Sequence, residues 1–156
     1  MSQPSETQKQ AEGNGAQFHD DLLENLVGKW KLDRKMRSRT AENHVDVQWV
    51  LNHQFLQIHM KDVANPPQYE ALVTVGAGAA DGSYVVYWLD SFGGLYSEKG
   101  YGTRDGNSIK FVFPYPDGEV HNTFSWLSES NSWHCLIEQA GTDGQLVVFA
   151  EDTLTR

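Results

Sequence analysis

Apolar and polar residues alternate with a period of two along most of this chain, and the breaks in that alternation divide it into strands. Over residues 29–38, Lys29, Lys31, Asp33, Lys35 and Arg37 fall on one side, while Trp30, Leu32, Arg34 and Met36 fall on the other. That pattern predicts a strand with one wet face. Val45, Val47, Trp49, Leu51 and His53 alternate in the same way, broken only by Val50, and a tight connection leads to Leu56, Ile58 and Met60. Pro66 and Pro67 stop that third strand, because proline cannot donate to a ladder. Tyr69, Ala71, Val73 and Val75 form a fourth, and residues 76–82 connect it to a fifth.

From residue 81 to 144 the punctuation becomes regular. Asp81-Gly82, Gly93-Gly94, Asp105-Gly106, Asp117-Gly118, Ser130-Asn131 and Asp143-Gly144 succeed one another at intervals of 12 or 13 residues. Such pairs suit two-residue hairpin turns, and the segments between them are rich in aromatic and β-branched residues. The spacing predicts strands over 84–90, 96–104, 108–115, 119–127, 133–139 and 145–155. Ahead of the first strand, Phe18, Leu22, Leu23 and Leu26 sit at helical spacing with Asp20, Asp21 and Glu24 opposite, and Gly28 is a plausible stop. Residues 1–17 are polar, lack an apolar core of their own and are expected to form a mobile tail, which leaves a single domain over 18–156.

Consecutive hairpins make a meander, and a meander of about ten strands removes its open edges by closing. The expected fold class is therefore all-β: an antiparallel up-and-down barrel with a short N-terminal helix and a ligand-sized interior. Tyr84-Val85-Val86-Tyr87-Trp88-Leu89 is apolar on both sides, which predicts a wall covered on its outside by the helix or by a second subunit.

Composition narrows the function. Among 156 residues, 21 acidic against 12 basic side chains give a formal charge of −9, unfavourable for nucleic acid and for anionic membranes. One cysteine, Cys135, excludes an internal disulfide and suits a reducing cytoplasm. The N-terminus has no secretory apolar stretch, and no segment approaches membrane-spanning length.

A helix leading into Leu26-Val27-Gly28-Lys29-Trp30 resembles the opening of the calycin barrels, lipocalins and fatty-acid-binding proteins among them. The resemblance implies that Trp30 closes one end of the barrel and that Arg156 stacks across it. Trp49-Val50-Leu51 with Phe55-Leu56, Trp88-Leu89-Asp90-Ser91, Phe113-Pro114 and the closing Glu151-Asp152-Thr153-Leu154-Thr155-Arg156 are more similar to an uncharacterised bacterial family, domain of unknown function 1579. That family carries no established activity. Haem-binding nitrobindins are related barrels, but residues 145–156 contain no histidine, so no cofactor is expected.

Candidate chemistry is sparse. No hydrolase, P-loop or zinc-protease motif occurs, and His53 and His59 are out of phase across their hairpin, which argues against a metal. Arg34 stands out as a charge in phase with an apolar face, so Asp90 or a ligand carboxylate should meet it. The expected ligand-binding set is Arg34, Trp49, His53, Tyr84, Trp88, Asn122, Phe124 and Trp133. Together these predict a pocket for a mainly apolar small molecule with an acidic or carbonyl group. Two alternatives stand beside it: a cofactor-free isomerase, cyclase or decarboxylase using His53 or Asp90, and a solid-cored module that forms a homodimer.

Overall fold

In a computed structural model, which describes residues 16–156, ten strands close into one antiparallel barrel. They are β1 (Gly28–Met36), β2 (Thr40–Val50), β3 (Phe55–Asp62), β4 (Glu70–Ala77), β5 (Ser83–Asp90), β6 (Glu98–Asp105), β7 (Ser108–Phe113), β8 (Val120–Leu127), β9 (Ser132–Ala140) and β10 (Leu146–Thr155). Each strand pairs with its neighbours in sequence, and β10 returns to β1 with Lys31 opposite Thr155 and Met36 opposite Ala150. Closure leaves no continuous sheet edge, the outcome the punctuated meander requires.

The expected tail falls on residues 1–15, outside those described, and on 16 and 17, which touch the β2–β3 turn. The Gln54 amide donates to the Ala16 carbonyl, and the Gln17 amide to Asn52. The helix, α1 (Asp21–Glu24), has a single turn. Asp20 caps it, accepting from the Leu23 N–H at 2.8 Å, while the other oxygen of Asp20 accepts from the Tyr84 hydroxyl at 2.6 Å. Leu22, Leu23 and Leu26 are buried in the same core as the barrel interior. The helix therefore plugs one end instead of covering the outer wall. That wall stays open over β4 and β5, where Leu72 pairs with Leu89 and both are exposed, as is Tyr87.

Trp30 lies at the plugged end. Its indole N–H donates to the Leu26 carbonyl at 2.7 Å, and the Arg156 guanidinium stacks 3.8 Å from the ring centroid. Gly28 has φ 121°, a conformation L side chains rarely adopt, so glycine suits the start of β1, and the Arg156 guanidinium fills the space beside it. On β6 the interior positions Gly100 and Gly102 are glycines as well, and the rings of Phe113 and Phe111 occupy the space their side chains would take.

Of the six turn pairs, only Asp105-Gly106 adjoins a two-residue connection, because residues 114–119, 128–131 and 141–145 form longer ones, and two further connections depart from the sequence expectation. Gly93-Gly94 is not a two-residue turn: residues 91–97 form a longer loop with a 3₁₀ turn at Gly94–Tyr96, and β6 starts at Glu98. Phe92, Leu95 and Tyr96 stand exposed on it. In the β2–β3 turn, Leu51, Asn52 and His53 all have positive φ, so the strand alternation ends at Val50 and does not carry through to His53. On β10 a bulge falls between Val148 and Ala150. Residues 146–149 run past the end of β1, the first three pairing with β9 alone and Phe149 sitting in the bulge, and Leu146, Val147, Val148 and Phe149 are exposed.

Candidate functional site

The strand termini sort the interior into two halves. At the α1 end, Trp30, Leu32, Val45, Val47, Leu56, Val75, Tyr84, Ile109, Phe124, Trp133 and Leu154 are buried in a packed core. At the other end, the side of the β1–β2, β3–β4, β5–β6, β7–β8 and β9–β10 connections, a cavity of about 640 Å³ opens. Tyr69, Trp88, Phe113, Tyr115, Val120, Ile137 and Phe149 provide much of its wall, with Phe92 and Tyr96 at the rim. The sequence left an open interior and a solid one as alternatives; this barrel has both, stacked end to end.

At the cavity side Arg34 of β1 faces Asp152 of β10, its register partner. Nε donates to Oδ1 and Nη2 to Oδ2, each at 2.7 Å, and both side chains are almost fully buried. The partner expected for Arg34 was Asp90 or a ligand carboxylate, and Asp152 takes that role instead. Burial alone would pull the guanidinium towards neutrality, but the two Asp152 bonds and the Asp152 charge outweigh it and hold Arg34 protonated, above the ordinary arginine value. Nη1 lies outside that bidentate pair. Beside it, burial and then the Asp152 charge push the Cys135 thiol well above the ordinary cysteine value, which leaves it a neutral, unreactive core group.

Asp90 serves the mouth. One carboxylate oxygen accepts from the Tyr69 hydroxyl at 3.0 Å and the other from the Phe92 N–H at 3.1 Å, while Trp88 Nε1 donates to the Tyr69 oxygen at 3.1 Å. Tyr69 is held neutral, its pKa raised first by burial. This relay fixes two aromatic walls against the β5–β6 loop.

Two asparagines beside the cavity each keep one oxygen buried away from solvent and without a hydrogen bond. Asn43 on β2 and Asn122 on β8 are 2% and 3% exposed, and the Oδ1 of each makes no hydrogen bond. A buried, unpaired acceptor costs about 1–3 kcal/mol. Such groups in a folded protein call for an explanation.

Of the eight residues expected to bind a ligand, Arg34, Trp88 and Asn122 line the cavity. Trp49, His53, Tyr84, Phe124 and Trp133 lie towards the plugged end and are not among its lining residues. The reason is axial: alternation tells which face a residue takes, not how far along the barrel it lies. Trp49 stacks on His53 at 4.0 Å and donates to Glu24 at 2.8 Å. His53 Nδ1 donates to the Phe18 carbonyl at 2.8 Å. These contacts clamp the lead into α1. His53 and Asp90, named as acid–base candidates, are thus at opposite ends of the barrel. His121 is on the outer face of β8 by phase but is buried, with Nε2 3.1 Å from Glu119.

Sequence reasoning missed Asn43 and Asp152. A signal existed for both: Asn43 is in phase with buried Val45 and Val47, and Asp152 with buried Ala150 and Leu154. Polar residues on an apolar face mark a site as Arg34 did. Among the described residues, no three His, Cys, Asp or Glu side chains gather as a metal site would need, and no helix is long and apolar enough to cross a membrane.

A crystal structure of Rv2717c from M. tuberculosis is similar, with a TM-score of 0.61 at 14% identity over 89% of this chain and 99% of that one. At that identity the likeness speaks for the fold alone. A redesigned beta barrel aligns at 14% identity over 90% of this chain and 98% of that one, with a TM-score of 0.37, too low to bear on the argument. No curated protein matches. A family model matches residues 16–156, the whole of the described barrel with its plug and its cavity, and the chain therefore belongs to the family described as protein of unknown function, DUF1579.

Proposed function

We propose that this protein binds a small, mainly apolar molecule in the half-barrel cavity, with one polar group directed at its depth. The observation that carries this reading is the asymmetry of the interior. An antiparallel barrel of this size can be filled by side chains throughout, yet only the α1 half is; the other holds about 640 Å³ behind aromatic walls. That volume lies within the usual range for small-molecule sites, roughly 300–1,000 Å³. A hollow without an occupant forfeits dispersion contacts that Leu or Phe at the same positions would make.

The polar group is better matched by a carbonyl than by an acid. Arg34 is already neutralised by Asp152, and Asp62, Asp90 and Asp117 line the mouth against a single further cation, Arg39. A carboxylate entering there would meet a field of its own sign. Nη1 of Arg34 is left to donate to a neutral oxygen. A reducing cytoplasm suits the wholly buried thiol of Cys135.

The test uses Nile red, a neutral apolar dye, together with native mass spectrometry of freshly purified protein. Binding should raise the dye's emission, and Ala41→Trp, which fills the mouth from β2, should weaken it at least tenfold while the far-ultraviolet circular dichroism stays unchanged. Undiminished dye binding by a folded Ala41→Trp variant would remove the cavity from consideration.

A further inference from the structure

We infer that the start of β10 is a docking edge for a second copy of this chain, which lays its own β10 antiparallel against it with the two Val147 residues side by side on a two-fold axis. The inference comes from a place where the ring of strands is incomplete. β1 pairs with β10 only as far as Ala150, opposite Met36, while β9 continues beside Leu146, Val147 and Val148. The Gly141 N–H donates to the Gln145 carbonyl, and the next N–H, that of Ala140, turns the other way to the Glu119 carbonyl. Alternation from there aims the backbone of Val147 at β9 and those of Leu146 and Val148 away from it. Among the described residues nothing meets the N–H and C=O groups on that side.

Natural sheets blunt such edges with charge, proline or a covering segment. Residues 145–149, Gln-Leu-Val-Val-Phe, carry no charge and no proline, and the four apolar ones are exposed. Open rungs call for an extended strand, not for a helix or a flat surface. Charge then selects this chain as its own partner. At one end of the edge Arg37 and Arg39, in the β1–β2 turn, border a groove of about 500 Å³ with Val147, Val148 and Phe149. At the other end Asp143 stands in the β9–β10 turn. Antiparallel pairing brings unlike ends together, so the Asp143 turn of one copy reaches the arginine turn of the other, and the two-fold axis makes that contact twice. The formal charge of −9 on each copy opposes association elsewhere, and this neutral edge with opposite charges at its ends escapes that penalty. Centring the pair on Val147 also uses every open rung, because Leu146 of each copy then faces Val148 of the other. The outer wall of β5, where the sequence suggested a second subunit, has no such rungs, since β5 is paired on both sides.

The experiment uses the full chain with Val147→Cys and, as its control, Val148→Cys. Opposed residues of a non-hydrogen-bonded antiparallel pair have Cα atoms about 4.5 Å apart, within disulfide reach, whereas Val148 faces Leu146 and has no counterpart of its own. Under mild oxidant Val147→Cys should form a covalent dimer at least tenfold faster than Val148→Cys; Cys135 is buried and does not compete. In sedimentation equilibrium the intact protein should dimerise reversibly. Val148→Pro, which removes one outward N–H and leaves the β9 ladder intact, should weaken that dimer at least tenfold with the far-ultraviolet circular dichroism unchanged. Asp143→Arg should weaken it too, and Arg37→Asp/Arg39→Asp added to Asp143→Arg should restore it. A protein that stays monomeric, as it would if the edge served a foreign strand, overturns the inference. So does equal cross-linking of the two cysteine variants, a dimer untouched by Val148→Pro in the folded protein, or charge reversal that fails to restore what Asp143→Arg removed.

Discussion

Arg34 shows how one residue can be conspicuous in a sequence and still be misjudged. Its phase on β1 declares that it is buried, and burial declares that it needs an anion, but which anion depends on the strand that closes the barrel. Asp152 lies 118 positions away and meets it only because β10 returns to β1 in that register. Both Arg34 nitrogens in the pair are held at 2.7 Å with little solvent nearby. Asp152→Asn should therefore cost about 3–5 kcal/mol in chemical denaturation, the range for removing one charge of a buried pair. A loss under about 1 kcal/mol would be the value for an exposed pair and would contradict the geometry. Asn43 teaches the complementary lesson. It was as legible as Arg34, since it alternates with Val45 and Val47, but an uncharged amide among polar neighbours draws less notice than a guanidinium.

At the scale of elements, the strands were readable because their turns carry the information locally. Asp81-Gly82, Asp105-Gly106 and Asp143-Gly144 place glycine at positive φ, and the strand after each begins within two residues of that glycine. The exceptions obey physics that local sequence does not state. Gly93-Gly94 sits in a longer loop that carries Phe92 and Tyr96 to the cavity rim. The single-turn helix is too short to persist on intrinsic propensity and is held by what it buries. Its Asp20 cap, tied to Tyr84, and its leucines set in the barrel end make it a stopper. Leu22→Ala, which empties a fully buried site in that stopper, should destabilise the protein by about 2–5 kcal/mol in urea unfolding. A cost below about 0.5 kcal/mol would mean that the helix rests on the barrel without sealing it.

Across the whole molecule, the barrel is graded from a packed floor to a hollow mouth. The floor gathers Trp30, Trp133, Phe124 and Tyr84 in one buried cluster, while the mouth has a long loop and four exposed apolar residues at the start of β10. Local opening should track the same gradient. Hydrogen exchange read along single strands should show amides near Phe124 in β8 and Trp133 in β9 protected about tenfold more than those near Val120 and Gln139, a difference of about 1.4 kcal/mol in opening free energy. A ligand in the cavity should narrow that difference. Even protection from end to end would indicate a uniformly packed barrel and would speak against a binding half.

The sequence by itself determined the strands, their antiparallel order, the closure and the face taken by most side chains within the strands. These come from a period of two and from turn residues whose backbone preferences act within four positions. Tertiary structure alone decided depth along the barrel axis. Trp49 and Trp88 have the same apolar phase, yet one clamps the plug and the other walls the cavity. Partnership across the closing seam, and which buried polar groups go unpaired, likewise depend on registers summed around ten strands. No short stretch of sequence contains that sum.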